Sequence, residues 1–352
     1  MQRVYERIFV LYPRGQRTGG PEALHQLVDS LRRQGADASL VPLESTRHAP
    51  RVDAYEHYDA PEAAIVDHPE SLVIAPESAV HRLSAVNRAG TACWWLSIDY
   101  SVPFYSRQEY ADRAFARRIG VAHRAWEPNR LASTYRHLLA RTFRRSELRP
   151  MHHLAQSEYA RSFLRIEADV DAALVSDYIP RASIDAELST ATERRRAVAF
   201  NPKKASWVPD LLGPHLADVE WIPLTGMTPE GVAHALHSSA AYFDPGFHPG
   251  RDRMPREAAL LGAVSVLARR GAGAFWADTP LPWQHKVAVT DAFAADAAAA
   301  LETVLAAPAQ AAAEQAPYRR WIDGDRERFD GEVAGVLLDG RWADDTPILP
   351  AR

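Results

Sequence analysis

The sequence predicts an α/β protein with two doubly wound domains that face a central cleft, followed by a closing C-terminal helix. Three observations lead to this fold. The chain has 352 residues, which exceeds one ordinary core and fits two domains of about 150–200 residues. Short apolar runs alternate with helical patterns, as in parallel sheets covered on both faces. The alternation stops at a polar, charged segment, 180–196, and then starts again.

The first domain, residues 1–179, begins with an apolar run that we expect to be a strand, at 8–12. Further strand-like runs follow at 38–41, 63–66, 72–75, 92–98, 153–156 and 172–175. Helical patterns fit 21–34, 80–89, 107–119, 129–145 and 158–166. Residues 180–196 have no periodicity, so we interpret them as an interdomain linker.

The second domain, residues 197–316, repeats the alternation. Its strand-like runs are 197–200, 219–222, 240–243, 264–268 and 287–289. Its helical patterns are 204–212, 229–237, 255–261 and an Ala-rich stretch, 291–315, with a break at Pro308. A last helix, 318–338, is expected in the tail, 317–352. Ligands of such sheets bind beyond the carboxyl ends of the strands, so the cleft between the domains is the expected site.

Composition excludes several classes of protein. The 47% hydrophobic and 24% charged fractions are typical of a soluble globular chain. Its apolar runs are shorter than the ~20 residues that span a bilayer, and no signal segment precedes the first strand. A single cysteine, Cys93, excludes an internal disulfide and a cysteine-based zinc site. We therefore expect a cytoplasmic protein, or one peripheral to a membrane.

The net charge of −4 hides an uneven distribution. Residues 101–150 contain eleven Arg and four acidic residues, which leaves a surplus of seven positive charges. Such a stretch is either a solvated helical surface or a docking face for a polyanion, nucleic acid or anionic membrane. The sequence leaves both interpretations open.

The segment 240–267 is the most informative part of the chain. An apolar run ends in a Pro/Gly-rich loop, and this loop opens a helix with Glu257 in its first turns and Gly262 at its end. A strand–loop–helix–strand unit with charged groups at the helix N-terminus suits an anionic nucleotide. The Gly-rich loop at 269–273 is a weaker candidate for a phosphate cradle.

Three motifs carry a resemblance to a known family. They are Thr18-Gly-Gly-Pro-Glu22 after the first strand, Ala199-Phe-Asn-Pro-Lys-Lys204 at the first strand of the second domain, and Gly250 with Glu257-Ala258 through Gly262. With them the chain resembles the glycosyltransferases built from two Rossmann-like domains, the GT-B type. Many retaining members have a Glu where this chain has Pro249, and this difference favours an inverting mechanism.

The resemblance implies a role for each matching residue. Gly19 and Gly20 would line the cleft, Lys203 or Lys204 would pair with the donor diphosphate, and Glu257 would accept hydrogen bonds from the ribose hydroxyls. Neighbouring residues are expected to contact phosphate or sugar, or else to be solvated: His248, Gly250, Arg251 and Arg253.

A second similarity concerns 94–104, which reads Trp-Trp-Leu-Ser-Ile-Asp-Tyr-Ser-Val-Pro-Phe. Phage DNA beta-glucosyltransferases have an Asp a few residues before Pro-Phe, and there it is the general base of an inverting transfer. The matching residue is Asp99. The alternative is that Asp99 only caps a helix or shapes a turn.

We therefore expect a hexosyltransferase-type enzyme that moves a sugar from a nucleoside-diphosphate donor to a hydroxyl acceptor. A UDP-sugar is the expected donor. The acceptor is a glycan, a lipid, a small molecule or hydroxymethylated DNA. No metal or cofactor beyond the donor is expected. A nucleotide-sugar epimerase and a two-lobed binding protein remain alternatives. The absence of Walker-type, nucleophile-elbow and zinc-protease motifs disfavours other chemistries.

Overall fold

The computed structural model describes residues 5–101, 104, 106–121 and 145–342. These residues form two compact units. The first takes its described residues from 1–105, 136–177 and 326–352, and the second from 106–135 and 178–325. Each unit contains one parallel sheet covered by helices, so the predicted pair of doubly wound α/β domains is confirmed.

The elements follow one another in regular alternation. The strands are β1 (Arg7–Tyr12), β2 (Asp37–Pro42), β3 (Ser71–Pro76), β4 (Gly90–Trp95), β5 (His152–Ala155), β6 (Ala173–Leu174), β7 (Arg195–Phe200), β8 (Glu220–Pro223), β9 (Ser239–Asp244), β10 (Val264–Ala268) and β11 (Lys286–Val287). The helices are α1 (Gly19–Arg33), α2 (Ser106–Arg118), α3 (Glu158–Ala168), α4 (Ala182–Leu188), α5 (Pro202–Ala205), α6 (Val208–Leu212), α7 (Pro229–Ser238), α8 (Arg253–Leu260), α9 (Phe293–Ala306), α10 (Pro308–Glu314), α11 (Ala316–Asp323) and α12 (Asp325–Val333).

The described strands of the first unit form a parallel sheet in the order β2-β1-β3-β4-β5-β6. Every residue of β3 is buried, as expected for a strand with both faces covered. The C-terminal helix α12 packs on this unit. Phe329 stacks on Trp94 with ring centroids 6.4 Å apart, and Asp330 accepts a 2.9 Å hydrogen bond from Arg33 of α1.

The described strands of the second unit form a parallel sheet in the order β11-β10-β9-β7-β8. The helix α2 lies against this sheet, because Phe115 packs edge-on against Phe293 and Trp207 at ring-centroid distances of 5.2 and 6.0 Å. We predicted α2 as part of the first domain from its position in the chain. Its buried apolar residues Phe115 and Ile119 place it in the core of the second unit instead.

Several predicted elements differ from the structure. The expected strand at 63–66 does not form, and a single bridge joins Leu40 to Glu62 just before it. The linker 180–196 contains the helix α4 and the first residues of β7, since Ile184 gives this polar segment an apolar anchor in the second core. The helical pattern at 80–89 forms a 3-10 helix, Glu77–Ala85. The predicted helix 129–145 lies almost entirely outside the described residues.

No helix in the described part of the chain has the length and apolar character needed to cross a membrane. The lone cysteine, Cys93, is buried in β4. Its burial raises the pKa of the thiol well above the ordinary value, with a further contribution from the nearby carboxylate of Glu77.

Candidate functional site

The strand order of the second sheet has one reversal, between β7 and β9. In doubly wound sheets, the carboxyl ends of the two strands at such a point diverge and leave a crevice that binds ligands. Here β7 ends at Phe200 and β9 ends at Asp244. The Asn201 side chain after β7 accepts a 3.0 Å hydrogen bond from the backbone N–H of Lys203, which caps the short helix α5. The cap places Lys203 and Lys204 at this edge of the sheet.

A compact charge cluster lies at this reversal. The Lys204 ammonium contacts Asp252 and lies 3.1 Å from the Asp244 carboxylate. Asp252 also contacts Nδ1 of His248 at 2.7 Å, and the Tyr242 hydroxyl donates to Asp244 at 3.0 Å. We call Lys204, Asp244, His248 and Asp252 the switch-point cluster. It joins the ends of two strands with the loop that follows β9.

The cluster holds Lys204, Asp244 and Asp252 in their charged forms. Burial by itself would lower the pKa of Lys204, but the two carboxylates raise it above its ordinary value. Burial would raise the pKa of Asp252, whereas Lys204 and then His248 lower it below its usual range. The pKa of Asp244 is lowered in the same way, since Lys204 outweighs burial. The site therefore keeps a fixed cation between two carboxylates at neutral pH.

Two glycines let the loop after β9 seat His248. Gly271 has φ of +54°, and a Cβ there would lie 2.1 Å from the backbone oxygen of His248. That oxygen accepts a 2.8 Å hydrogen bond from the N–H of Ala272. A Cβ on Gly273 would lie 2.7 Å from the His248 ring. The loop 269–273, which we predicted as a phosphate cradle, thus packs against His248 of the switch-point cluster.

The cluster also has the donor types of a metal site. Ligand atoms of Asp244, His248 and Asp252 lie within 4.8 Å of one another. The Lys204 ammonium already contacts both carboxylates, so a divalent cation would have to compete with it. An anionic ligand would likewise have to replace one of these carboxylates at the Lys204 ammonium.

Glu257 and Arg253 form a second charged pair on α8. Their side chains lie 2.9 Å apart at the i and i+4 positions of the helix, and both are partly exposed. Lys203 is exposed on the turn that carries Lys204. All three side chains are at least partly exposed.

Arg251 and Gly250 lie in the interior. The Arg251 guanidinium bonds Asp325 at 2.6 Å and lies 4.4 Å from the centre of the Trp321 ring. Arg256 contacts the same carboxylate at 3.3 Å. The expectation that Arg251 contacts phosphate or solvent is therefore corrected: it anchors the loop to Trp321 of α11 and to Asp325 at the start of α12. The sequence could not reveal the Arg251–Asp325 pair, because Asp325 lies more than 70 residues from Arg251 in the chain.

A cavity of about 530 Å³ opens beside the cluster loop. It is lined by Ala114, Phe115, Arg118, Phe247, Arg269, Arg270 and Val289. Arg270 is buried here, contacts Asp112, lies 4.1 Å from the centre of the Phe115 ring and donates to the Pro245 carbonyl. Phe247 directly precedes His248, so the cavity and the switch-point cluster share one loop.

In the first unit, Asp99 follows β4 within the 3-10 helix Ile98–Tyr100. Its side chain is only 2% exposed, and its two carboxylate oxygens accept from the Tyr159 hydroxyl at 3.2 and 3.0 Å. Tyr159 lies in the first turn of α3 and is partly exposed. The Tyr159 hydroxyl thus orients the Asp99 carboxylate.

Gly19 and Gly20 form the first turn of α1. Thr18 precedes them in an extended conformation, and its side chain makes no capping hydrogen bond. Among the described residues, a Cβ on Gly20 would meet only Leu96 Cδ1 at 3.9 Å, which is ordinary contact. Packing therefore does not demand glycine at position 20, and close approach of a ligand to the backbone is consistent with its presence.

The sequence reading missed Asp244 and Asp252. Asp244 carries a detectable signal, because a carboxylate that ends an otherwise apolar strand is placed at the ligand-binding edge of a parallel sheet. Asp252 carries none, since it is one of several charged residues in its loop. Only the folded loop brings it to Lys204.

Comparison with known proteins gives evidence on the fold. No protein-family model and no curated protein matches the sequence. Among solved structures, sucrose-phosphate synthase from Thermosynechococcus elongatus is similar with a TM-score of 0.55 at 12% identity, over 95% of this chain and 96% of that one. A glycosyltransferase from Rickettsia africae gives 0.53 at 9% identity, over 95% and 96%. A UDP-forming trehalose-phosphate synthase from Burkholderia xenovorans gives 0.50 at 10%, over 93% and 100%.

This chain has the GT-B glycosyltransferase fold. The likeness covers nearly all of it and nearly all of each compared chain. The resemblance drawn from three short motifs is therefore confirmed at the level of the fold.

Proposed function

We propose that the protein transfers a sugar from a nucleoside-diphosphate donor, a UDP-sugar, to a hydroxyl acceptor with inversion at the sugar. The observation that carries this proposal is the switch-point cluster, which sets a fixed cation at the ligand edge of the second sheet. The shared GT-B fold supports it, and the UDP-forming synthase among the similar structures suggests the nucleotide.

In the proposed reaction, the second unit binds the donor. The Lys204 ammonium exchanges one of its carboxylate partners for a diphosphate oxygen, and exposed Lys203 adds positive charge beside it as negative charge grows on the leaving oxygen. Glu257 accepts hydrogen bonds from the ribose hydroxyls. Arg253, released from this carboxylate, turns to a phosphate oxygen as a charge-assisted donor.

Asp99 is the proposed general base. Its carboxylate takes the proton of the acceptor hydroxyl while that oxygen attacks the anomeric carbon, and the bond from that carbon to the diphosphate breaks. Tyr159 is a positioning residue that holds the carboxylate through its hydroxyl. Because Asp99 is buried, acceptor entry must uncover it. The Pro at position 249, where retaining relatives have a Glu, agrees with inversion.

The test begins with the melting temperature in the presence of UDP, ADP, GDP and free glucose. Stabilisation by UDP and loss of this shift in Lys204→Ala are expected. The matched control is Arg165→Ala, which removes an exposed ion pair in the first unit. A shift with free glucose but none with any nucleotide would identify a solute-binding protein and end the proposal.

Transfer is then assayed by mass spectrometry with labelled UDP-sugars and four acceptor classes: glycans, lipids, small metabolites and hydroxymethylated DNA. The expected product is a labelled acceptor whose new linkage has the opposite anomeric configuration to the donor. Formation of the 2-epimer without any acceptor would instead show an epimerase.

A further inference from the structure

Two tryptophans in the connection between β10 and β11 form an exposed aromatic surface. Trp276 and Trp283 are each 51% exposed, and their ring centroids lie 6.2 Å apart with an angle of 37° between the planes. Folding normally buries much of an indole, so paired rings that remain half exposed are typical of a recognition surface. We call these two residues together with Arg269 the tryptophan platform.

Cations hold the platform in place. Arg269 lies 4.9 Å from the centre of the Trp283 ring, and its Nε donates to the Lys286 carbonyl at 2.8 Å. Lys286 is 1% exposed and its ammonium lies 5.3 Å from the same ring centre. Because the ammonium is buried, it fixes the indole from the protein side. Trp283 is therefore a rigid ring rather than a mobile surface side chain.

The platform lies at the ligand edge of the second sheet. The strand register pairs Ala268, the last residue of β10, with Val287 of β11, so Lys286 and Trp283 stand beside the carboxyl end of β10. Arg269 belongs both to the platform and to the lining of the 530 Å³ cavity. The aromatic surface therefore continues into the cavity that adjoins the switch-point cluster.

Two of the four cations around the platform are paired with carboxylates. Arg118 pairs with Asp291 at 3.0 Å, and Arg270 pairs with Asp112. Arg269 and Lys286 donate to backbone carbonyls, and Lys286 is buried. A polyanion such as nucleic acid needs several accessible cations along its path, whereas Arg269 is the one exposed cation of these four that pairs with no described carboxylate. An uncharged ring with an apolar face and hydroxyl groups fits this surface better.

We propose that the tryptophan platform binds the sugar rings of an oligosaccharide, which is the acceptor of the transfer reaction. The second part of this statement rests on the proposed function. Apolar C–H faces of the sugar rings stack on Trp276 and Trp283, and sugar hydroxyls accept from the N–H groups of Arg269 that the Lys286 carbonyl does not use. One end of the oligosaccharide, reducing or non-reducing, reaches the 530 Å³ cavity.

The first experiment probes a printed glycan panel with the full chain, and titrates a bound oligosaccharide by calorimetry. Trp283→Ala and Trp276→Ala should each weaken binding at least about tenfold, as expected for aromatic anchors. Trp283→Phe should retain part of the affinity. The matched control Ile166→Ala, at a 79% exposed residue of the first unit, should leave it unchanged. The melting temperature without ligand verifies that each variant is folded.

Two results would overturn the proposal. One is that no glycan on the panel binds, or that the tryptophan variants bind as well as the parent. The other is that single-stranded oligothymidylate binds, with loss in both tryptophan variants and a steep dependence on salt, which would assign the platform to nucleic acid. The UDP melting shift is measured in parallel. Glycan binding without a UDP shift would keep the platform and reject the proposed function, whereas a UDP shift without glycan binding would do the reverse.

Discussion

The two sheets share one strand-order pattern and differ in what stands at its reversal. The first reverses between β1 and β3 and the second between β7 and β9. In the second, Lys204 lies between two carboxylates. In the first, the Tyr12 hydroxyl and Arg14 both contact Glu62. The same topology thus provides a cation between two carboxylates in one unit and a carboxylate between a cation and a hydroxyl in the other.

In both sheets the topology sets where a ligand can bind, and the side chains set which ligand is bound. A diphosphate needs a fixed cation, which the second sheet offers at its reversal. The first sheet offers instead an oriented carboxylate, Asp99, after β4. We therefore expect mutations in the second unit to affect binding of the nucleotide donor, and mutations in the first unit to affect proton transfer from the acceptor hydroxyl.

The largest expected effect belongs to Asp99→Asn, which keeps the shape of the side chain and removes its basicity. Turnover should fall by about 10²–10⁴-fold, the usual contribution of a general base. The UDP melting shift should stay unchanged, since the donor is assigned to the second unit. Normal turnover by this variant would remove Asp99 from the mechanism and end the division of roles between the sheets.

Lys204→Ala should affect both binding and stability. It leaves Asp244 and Asp252 side by side without their shared cation, which should lower the free energy of unfolding by about 2 kcal/mol or more. The UDP shift should disappear. The control Lys203→Ala, on the same turn but exposed, should change stability by less than about 0.5 kcal/mol. Equal effects of the two variants in urea unfolding would contradict the central role of Lys204.

Gly271→Ala and Gly35→Ala compare one residue from each unit. Both glycines have positive φ, of +54° and +85°, so alanine strains the backbone at either position. At Gly35 no described atom lies within 4 Å of the new Cβ, whereas at Gly271 it would lie 2.1 Å from the His248 oxygen. Gly35→Ala should cost about 1 kcal/mol and leave UDP binding intact.

Gly271→Ala should cost more, about 2–3 kcal/mol, and should also weaken UDP binding because the loop that carries His248 must move. Calorimetric titration with UDP measures the binding of both variants. If Gly271→Ala bound UDP as well as Gly35→Ala does, the loop would not support the donor site.

The smallest expected effect is a pH dependence of stability. Burial lowers the pKa of Lys286 from its ordinary value of 10.5 to about 8. Between these two values the unfolded chain binds more protons at this residue than the folded protein, so the contribution of Lys286 to stability rises with pH. Urea unfolding at pH 8 and pH 10 should show this rise, and Lys286→Met should reduce it. An unchanged pH dependence in the variant would refute the assignment.

The sequence located most of the fold from local signals. The strands β1, β7 and β9 are apolar runs of the right length, and α1 has a helical apolar face with Leu24, Leu27 and Leu31 buried. The helix α2 was assigned to the wrong unit, because Phe115 and Ile119 show that it has an apolar face but not which sheet covers that face. The helix α4 was missed altogether, because its polar segment shows no periodicity and Ile184 is its buried residue.

Local periodicities in the sequence were enough to predict the two α/β units, the strand that Lys204 follows and the placement of Glu257 on a helix. Which charges meet depended on packing between distant parts of the chain. Lys204 pairs with Asp252, and Arg251 pairs with Asp325 in the interior. In both pairs the partners are far apart in the chain and are brought together by packing. The tryptophan platform has the same origin: Trp276 and Trp283 became one surface only when the connection between β10 and β11 folded.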